Sequence, residues 1–198
     1  MLINFTVENY RSFREQVSLR MEATSIKELR GSVITKDDNK LLPVAVIYGA
    51  NSSGKSNVLK AMAEMGHLVM TSSKMNPDES LHYEPFMLDT DSRNKPTSLE
   101  VQFLAGQARY RYGFSYDKQH IISEYLFVVP FGKHTEKQIC LTSGIFAAIR
   151  YGLRKKTSMT QLICIPSWSS LTTTGERFVM TAASRKTIST DAMAQYHS

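Results

Sequence analysis

The sequence has few of the features that build disulfide-linked, zinc-bound or membrane-spanning proteins. Only two cysteines, Cys140 and Cys164, occur among its 198 residues, and they form no pairing motif. Their number and spacing exclude a disulfide framework and a four-ligand zinc site. The longest nearly apolar runs, 41–48 and 125–131, are much shorter than the roughly 20 residues of a membrane-spanning helix. We therefore expect no membrane-spanning segment and no membrane partner.

The sequence also lacks the signals of secretion and of several catalytic chemistries. Its first residues show no basic start, apolar stretch and small-residue cleavage site, so we expect a cytoplasmic protein. No G-x-S-x-G elbow or paired Cys and His indicates a nucleophilic hydrolase. The five histidines show no metal-ligand spacing; they are His67, His82, His120, His134 and His197. The sequence therefore identifies no catalytic residue.

The net charge of +6 is distributed unevenly along the chain. Residues 1–149 hold 17 basic and 16 acidic side chains, whereas residues 150–198 hold 7 basic and 2 acidic ones. The cluster Arg154-Lys155-Lys156 could contact DNA, but a solvated segment is the expectation we favour for this composition. Net charge alone therefore does not make the N-terminal part a nucleic-acid-binding protein.

The first seventy residues alternate between strand, loop and helix patterns. Alternating apolar residues predict half-buried strands over 3–7 and 17–21, and the polar stretch 24–40 predicts a loop with at most one helical turn. The continuous apolar run 44–48 is typical of a strand buried on both faces. Apolar residues at three- and four-residue spacing then predict an amphipathic helix over about 55–70.

The middle third has the pattern of an antiparallel meander. Prolines argue against a long element over 75–96, after which alternating residues predict strands over 99–103, 110–116 and 121–129. From about residue 138 the sequence becomes rich in Ser and Thr, basic and aperiodic. We therefore predict a lobe over 1–137, divided into a hairpin, strand and helix part (1–72) and a β meander (73–137), and an irregular tail over 138–198.

One motif indicates a specific chemistry. The pattern G-x-x-x-x-G-K-[ST] is matched at every fixed position between the predicted buried strand and the helix. Its residues are Gly49-Ala50-Asn51-Ser52-Ser53-Gly54-Lys55-Ser56. The two glycines allow the backbone to curl so that successive N–H groups face phosphate oxygens. Lys55 would contact the β and γ phosphates, and the Ser56 hydroxyl would ligate Mg²⁺.

We assign Asn57 to the nucleotide site together with these eight residues, with Asn51 expected to order the loop more than to bind the ligand. The motif alone does not choose among kinases, GTPases and ATPases. A guanine-binding protein is expected to carry Asn-Lys-x-Asp further along the chain, but Asn94-Lys95-Pro96-Thr97 lacks the Asp. The expected cofactors are therefore ATP and Mg²⁺.

The motif and its surroundings resemble a known family. Gly49 to Ser56, followed by a leucine-containing helix, is similar to the G-x-N-x-S-G-K-S loop of ABC-type ATPase heads. These heads include RecF, the structural-maintenance-of-chromosomes (SMC) proteins, and the OLD-type and abortive-infection proteins of phage defence, often classed as AAA ATPases. The start, with Asn9-Tyr10-Arg11-Ser12-Phe13, is similar to their N-Y-x-S-F strand end, and 85–89, 99–103 and 110–114 resemble the β-rich insertion of the phage-defence branch.

The resemblance covers about residues 1–135 and implies an α/β fold, the N-terminal half of a P-loop ABC-type head with an antiparallel β subdomain. It further implies ATP hydrolysis, head-to-head dimerisation and contact with DNA in the intact family. After Lys55 we find neither a signature loop like L-S-G-G-E nor an apolar strand ending in Asp-Glu, the Walker B motif. We therefore expect ATP binding with impaired hydrolysis, a gene truncated or frameshifted near residue 138, and a homodimer or a partner chain that supplies the second lobe.

Two further hypotheses concern residues outside the loop. Arg11 and Arg14 could reach the nucleotide or be solvated loop residues, and the sequence leaves both alternatives open. The stretch 111–116 superficially resembles an RNA-recognition strand but lacks the Gly expected after Arg111. Alternation places Tyr112 and Phe114 on a core face, so we expect packing rather than base stacking. The alternative function is a non-enzymatic nucleic-acid-binding or interaction module.

Overall fold

The architecture is a mixed α/β arrangement, seen in a computed structural model that describes residues 1–24, 30–71, 79–138, 172–174 and 177–181. Strand β1 is Leu2–Glu8, β2 is Val17–Arg20, β3 is Ile34–Lys36, β4 is Asn39–Leu41 and β5 is Val44–Ile47. Helix α1 is Lys55–Thr71. Strands β6 (Thr97–Ala105), β7 (Ala108–Tyr116), β8 (Ile121–Pro130), β9 (Lys137–Gln138), β10 (Thr172–Thr174) and β11 (Arg177–Thr181) follow. Short 3-10 turns cover Arg30–Ser32 and Ser92–Asn94.

Six of the strands form one antiparallel sheet in the order β2-β1-β6-β7-β8-β9. The meander β6-β7-β8 and the hairpin β1-β2 confirm the predicted strands. The pairing of β1 with β6, with Phe5 opposite Val101 and Val7 opposite Leu99, joins the two parts into one sheet. No sequence pattern predicted that pairing, because it links residues far apart in the chain.

Helix α1 packs on one face of this sheet, as the periodicity of 55–70 predicted. Its buried residues are Leu59, Ala61, Met62, Met65, Leu68 and Val69. The sheet contributes the aromatic side chains of Phe5, Tyr112, Phe114 and Tyr116, each no more than 1% exposed. The core is therefore a helix-on-sheet layer in which period-2 and period-3.6 apolar faces meet. Tyr112 and Phe114 lie in this core, which confirms the expectation of packing rather than base stacking.

The outer face of the sheet carries a small polar and aromatic cluster. The Arg111 guanidinium lies 4.7 Å from the ring centre of Phe127 and 5.8 Å from that of Tyr125. Tyr125 donates a hydrogen bond to Glu100. Its ring covers Gly113, where an added Cβ would lie 2.6 Å from the Tyr125 Cζ. Position 113 is therefore restricted to glycine unless the Tyr125 ring moves.

Two expectations are corrected. The stretch 24–40 is not simply a loop, because among its described residues β3 and β4 form a short hairpin through Asp37, which adopts a left-handed backbone (φ 54°). The run 44–48 is not buried on both faces: Val46 is 50% exposed and Tyr48 is 82% exposed. In the described part of the chain, β5 pairs only with β11, and its covered face carries Ala45 against the main core.

Two segments of the predicted tail are described, and both are strands. Thr172–Thr174 pairs with Arg177–Thr181, which in turn pairs antiparallel with β5. The predictions for Cys140, Cys164, Arg154 to Lys156 and His197 concern residues outside the described part of the chain. The long proline-containing stretch has no helix or strand over its described residues 79–96 apart from the 3-10 turn, as predicted.

Candidate nucleotide-binding site

The phosphate-loop motif forms the connection between β5 and α1. The helix begins at Lys55, the sixth position after Gly49, so that its first amide groups follow directly on the loop. The first four N–H groups of a helix have no partner within the helix, and the helix dipole adds positive potential there. The strand, the loop and the helix therefore create an anion-binding geometry of the kind that phosphates occupy.

The backbone of the loop is curled as the glycine spacing predicted. Ser52 has φ 64° and Gly54 has φ 89°, both in the left-handed region that L-residues other than Asn and Asp avoid. Two backbone bonds hold the curl: Ser53 N–H donates to Ala50 O, and Asn57 N–H donates to Gly54 O at 2.9 Å. The side chains of Asn51, Ser52, Ser53 and Ser56 are exposed.

The Lys55 side chain folds back over the loop. Its Nζ donates hydrogen bonds to the Gly49 carbonyl at 2.7 Å and to the Ala50 carbonyl at 2.6 Å. Both acceptors are neutral, and the ammonium stays close to the curled backbone. The one lysine of the motif is thus held where it can meet an anion in the loop.

Ser56 and Asn57 follow at the start of α1 and have different surroundings. The Ser56 hydroxyl is exposed and is free to face a ligand of the loop. The Asn57 Nδ2 donates to the Ser12 Oγ at 2.8 Å, so this amide side chain is engaged by the turn after β1. Ser56 therefore fits the predicted Mg²⁺ role, because a serine hydroxyl is an oxygen ligand. Asn57 is oriented toward the protein.

The turn after β1 lies beside the loop but does not direct its arginines there. Arg11 forms an ion pair with Glu84, and Arg14 lies 3.6 Å from the Asp89 carboxylate. Partial burial lowers the pKa of the Arg11 guanidinium, but its interactions with Tyr10 and Glu84 raise the pKa by more. The net result is a pKa above the ordinary value. In this arrangement both arginines bind the segment 79–96.

A chain of polar side chains links α1 to the same turn. His82 Nδ1 lies 2.9 Å from Glu64 Oε2 of α1, and His82 Nε2 lies 3.6 Å from Glu84 Oε2. Glu84 in turn pairs with Arg11. The helix that follows the phosphate loop is therefore connected through His82 and Glu84 to the turn that lies beside that loop. Sequence reasoning missed this chain, because its members are distant in sequence.

The turn itself is held by a buried asparagine. Asn9, 3% exposed with φ 51°, donates from Nδ2 to Ser92 O at 2.9 Å and to Lys95 O at 2.6 Å. Its Oδ1 accepts the Phe86 N–H. Asp89 supports the same segment, and hydrogen bonding from Ser92 together with Arg14 lowers the pKa of its carboxyl. The resemblance included Asn9 in its N-Y-x-S-F match, but no sequence signal indicated its partners.

The described residues show neither a metal cluster nor a membrane span. Among them no group of three or more His, Cys, Asp or Glu side chains could hold a metal ion. Helix α1 is not long and apolar enough to cross a membrane, and no other helix of the described segments is.

These features are typical of a P-loop, ATPase-like domain, and a comparison with protein families agrees. Residues 44–136 match the family model described as "AAA domain, putative AbiEii toxin, Type IV TA system". This match supports an AAA-type, nucleotide-binding and ATPase-like domain over a segment that contains β5, the loop, α1 and the meander. No curated protein matches the chain.

Proposed function

We propose that the chain binds ATP as its Mg²⁺ complex through the Walker A loop formed by residues 49–56. The carrying observation is the curled loop between β5 and α1, with Lys55 Nζ held over it by two backbone carbonyls. The family match over 44–136 supports a nucleotide-binding role.

Phosphate oxygens are better acceptors for Lys55 than the carbonyls it now contacts. The two carbonyls are neutral, whereas phosphate oxygens carry negative charge and add a Coulombic attraction between opposite charges to the hydrogen bond. Lys55 would therefore exchange Gly49 O and Ala50 O for the β and γ phosphates. The loop amides and the N-terminus of α1 would hold the same anion without further rearrangement.

Mg²⁺ would be held by the Ser56 hydroxyl and by phosphate oxygens. When bound, the ion supplies charge neutralisation across the β and γ phosphates. We propose ATP rather than GTP because the guanine-binding motif Asn-Lys-x-Asp is incomplete at Asn94-Lys95, and because this pair has a structural role. Asn94 lies in a 3-10 turn, and the Lys95 carbonyl accepts from both Asn9 and Tyr83.

We further propose that the site belongs to an ABC-type head of the abortive-infection kind and that hydrolysis needs a carboxylate from a second lobe. After Lys55 the sequence contains no apolar strand followed by Asp-Glu, and without a base to activate water the rate of phosphoryl transfer is low. A partner chain of different sequence would supply that lobe, since a second copy of this chain lacks the same motif. The exposed apolar side chains of Val44, Val46 and Tyr48 support an assembly that covers β5.

Isothermal titration calorimetry with Mg-ATP tests the binding proposal. We expect the wild type to bind and Lys55→Ala to lose at least a hundredfold in affinity, because the ammonium is the only side-chain cation of the motif. Lys60→Ala is the matched control: Lys60 is exposed on the same helix, outside the loop, and its loss should change the affinity by less than twofold. A wild type that shows no heat of binding with Mg-ATP contradicts the proposal.

The competing nucleic-acid module has weaker support. Its aromatic candidates Tyr112 and Phe114 are 0% and 1% exposed and cannot stack on bases without unfolding the sheet. On the opposite face, Arg111 lies against Phe127 and near Glu100 and Glu136. These carboxylates offset its charge, so this face offers little attraction to a phosphate backbone.

A further inference from the structure

The turn that follows β1, residues 9–13, is a compact unit with little freedom of its own. Two reciprocal backbone bonds close it: Tyr10 N–H donates to Phe13 O at 2.9 Å, and Phe13 N–H donates to Tyr10 O at 2.8 Å. Asn9 and Arg11 adopt left-handed backbone angles of 51° and 50°. Such a conformation persists only where surrounding contacts impose it.

Those contacts anchor the turn to the segment that precedes β6 rather than to the phosphate loop. Asn9 is bonded to Ser92, Lys95 and Phe86, and Arg11 N–H donates to Glu84 O at 2.8 Å. The Arg11 side chain pairs with the Glu84 carboxylate. The turn is thus a projection that follows β1 and is fixed by the segment before β6.

This projection touches the phosphate loop at its second glycine. A Cβ added to Gly54 would lie 3.0 Å from Ser12 Oγ and 3.2 Å from Phe13 Cε1. On the other side of the same contact, Asn57 Nδ2 donates to Ser12 Oγ at 2.8 Å. Ser12 and Phe13 therefore close over the backbone of Gly54, and Asn57 connects the first turn of α1 to them.

We propose that Ser12, Phe13 and Asn57 form a clamp that positions the phosphate loop for its ligand. The proposal rests on the function proposed above. A loop whose amides are already fixed toward the phosphates avoids the ordering cost that a mobile loop must meet upon binding. Ser12 and Asn57 are accordingly positioning residues, which act on the nucleotide through the backbone of Gly54.

The hydroxyl of Ser12 gives the sharpest test because the side chain is exposed and its removal should leave the fold intact. Ser12→Ala removes the acceptor of Asn57, whereas Ser12→Thr keeps the oxygen and serves as the rescue variant. Asn57→Ala removes the donor, and the double variant completes the cycle. Ser18→Ala is the matched control, since Ser18 is exposed on β2 and its Oγ shares a hydrogen bond with the Thr6 hydroxyl on β1, away from the loop.

Two measurements are made on each full-length variant: hydrogen exchange of the amides of 49–57 without nucleotide, and the Mg-ATP dissociation constant by calorimetry. We expect Ser12→Ala and Asn57→Ala to accelerate exchange in the loop and to weaken ATP binding about three- to tenfold, as one hydrogen bond should. The double variant should be no weaker than either single one, and Ser12→Thr should restore both readouts.

The outcomes separate the clamp from the binding function. If the wild type binds Mg-ATP and Ser12→Ala binds equally well, the clamp is overturned and the binding function stands. If loop exchange accelerates without any loss of affinity, or if the two single effects add in the double variant, the positioning role is overturned too. A wild type that does not bind Mg-ATP overturns the binding function, while unchanged loop exchange in Ser12→Ala overturns the clamp independently.

Discussion

The sheet with its helix and the phosphate-loop region differ in how their apolar residues are used. On the sheet, Phe114 and Tyr116 are essentially inaccessible to solvent, whereas Val46 and Tyr48, just before the loop, are half or more exposed. The sheet side therefore holds most of the stabilisation that burial provides, and the loop side contributes little. We therefore expect substitutions on the sheet to change the free energy of unfolding, and substitutions in the loop to change ligand binding.

The largest expected effect is on the sheet. Phe114→Ala should lower the free energy of unfolding by about 3–5 kcal/mol, because it removes a buried ring and leaves a cavity. Val46→Ala on β5 should change it by less than about 0.5 kcal/mol. Urea unfolding followed by circular dichroism measures both. Similar losses of stability in the two variants would show that β5 is covered in solution, and would contradict the expected difference between the two regions.

A smaller effect is expected at the turn that connects the two regions. Asn9→Ala should cost about 2–3 kcal/mol, because it removes the hydrogen bonds to the buried Ser92 carbonyl, to the Lys95 carbonyl and from the Phe86 N–H. It also places alanine in a left-handed conformation. Asn94→Ala, at an exposed position of the neighbouring 3-10 turn, should be nearly neutral in the same unfolding experiment. If Asn9→Ala lowered the free energy of unfolding no more than Asn94→Ala does, the Asn9 hydrogen bonds would not anchor the turn.

The smallest effect concerns pH and a hydroxyl in the core. Burial and the nearby Glu64 carboxylate raise the pKa of Tyr116 well above 10. A raised folded-state pKa means that stability is fully present below about pH 10 and is lost as the pH rises beyond it. The loss is about 1.4 kcal/mol per pH unit for one such tyrosine.

Tyr116→Phe removes this titration, so stability measured from pH 9 to 11 should fall less steeply than in the wild type. At pH 7 the variant should be as stable as the wild type, because the Tyr116 hydroxyl is buried without a hydrogen-bond partner in the described part of the chain. An identical slope for the two proteins above pH 10 would place Tyr116 in contact with solvent.

Local patterns predicted most of the elements, and contacts between distant residues account for what was missed. The periodicity of 55–70 predicted α1 within one residue of its observed end, and alternation predicted the meander with Tyr112 and Phe114 in the core. The hairpin at Asp37 was missed because polar, charged turn sequences carry no apolar alternation. The burial of β5 was wrongly predicted because an apolar run indicates what a strand can bury, not what is present to cover it.

The candidate site shows the same division. The spacing of Gly49, Gly54, Lys55 and Ser56 is a local constraint, and it predicted a curled loop at the start of a helix. The neighbours of the arginines and of Asn57 are set by contacts between distant residues: Arg11 pairs with Glu84, and Arg14 lies beside Asp89. Asn57 donates to Ser12 of the turn after β1. Only the folded arrangement reveals that the arginines bind carboxylates and that the Asn57 amide faces a serine.

The pairing of β1 with β6 also has a consequence for how the protein folds during synthesis. Partners such as Phe5 and Val101 lie about a hundred residues apart, so the sheet has a high contact order and should form slowly. Until β6 leaves the ribosome, β1 and the apolar face of α1 lack the surface against which they pack. The nascent N-terminal segment therefore exposes apolar surface until the meander has been made, which favours aggregation or chaperone binding in that interval.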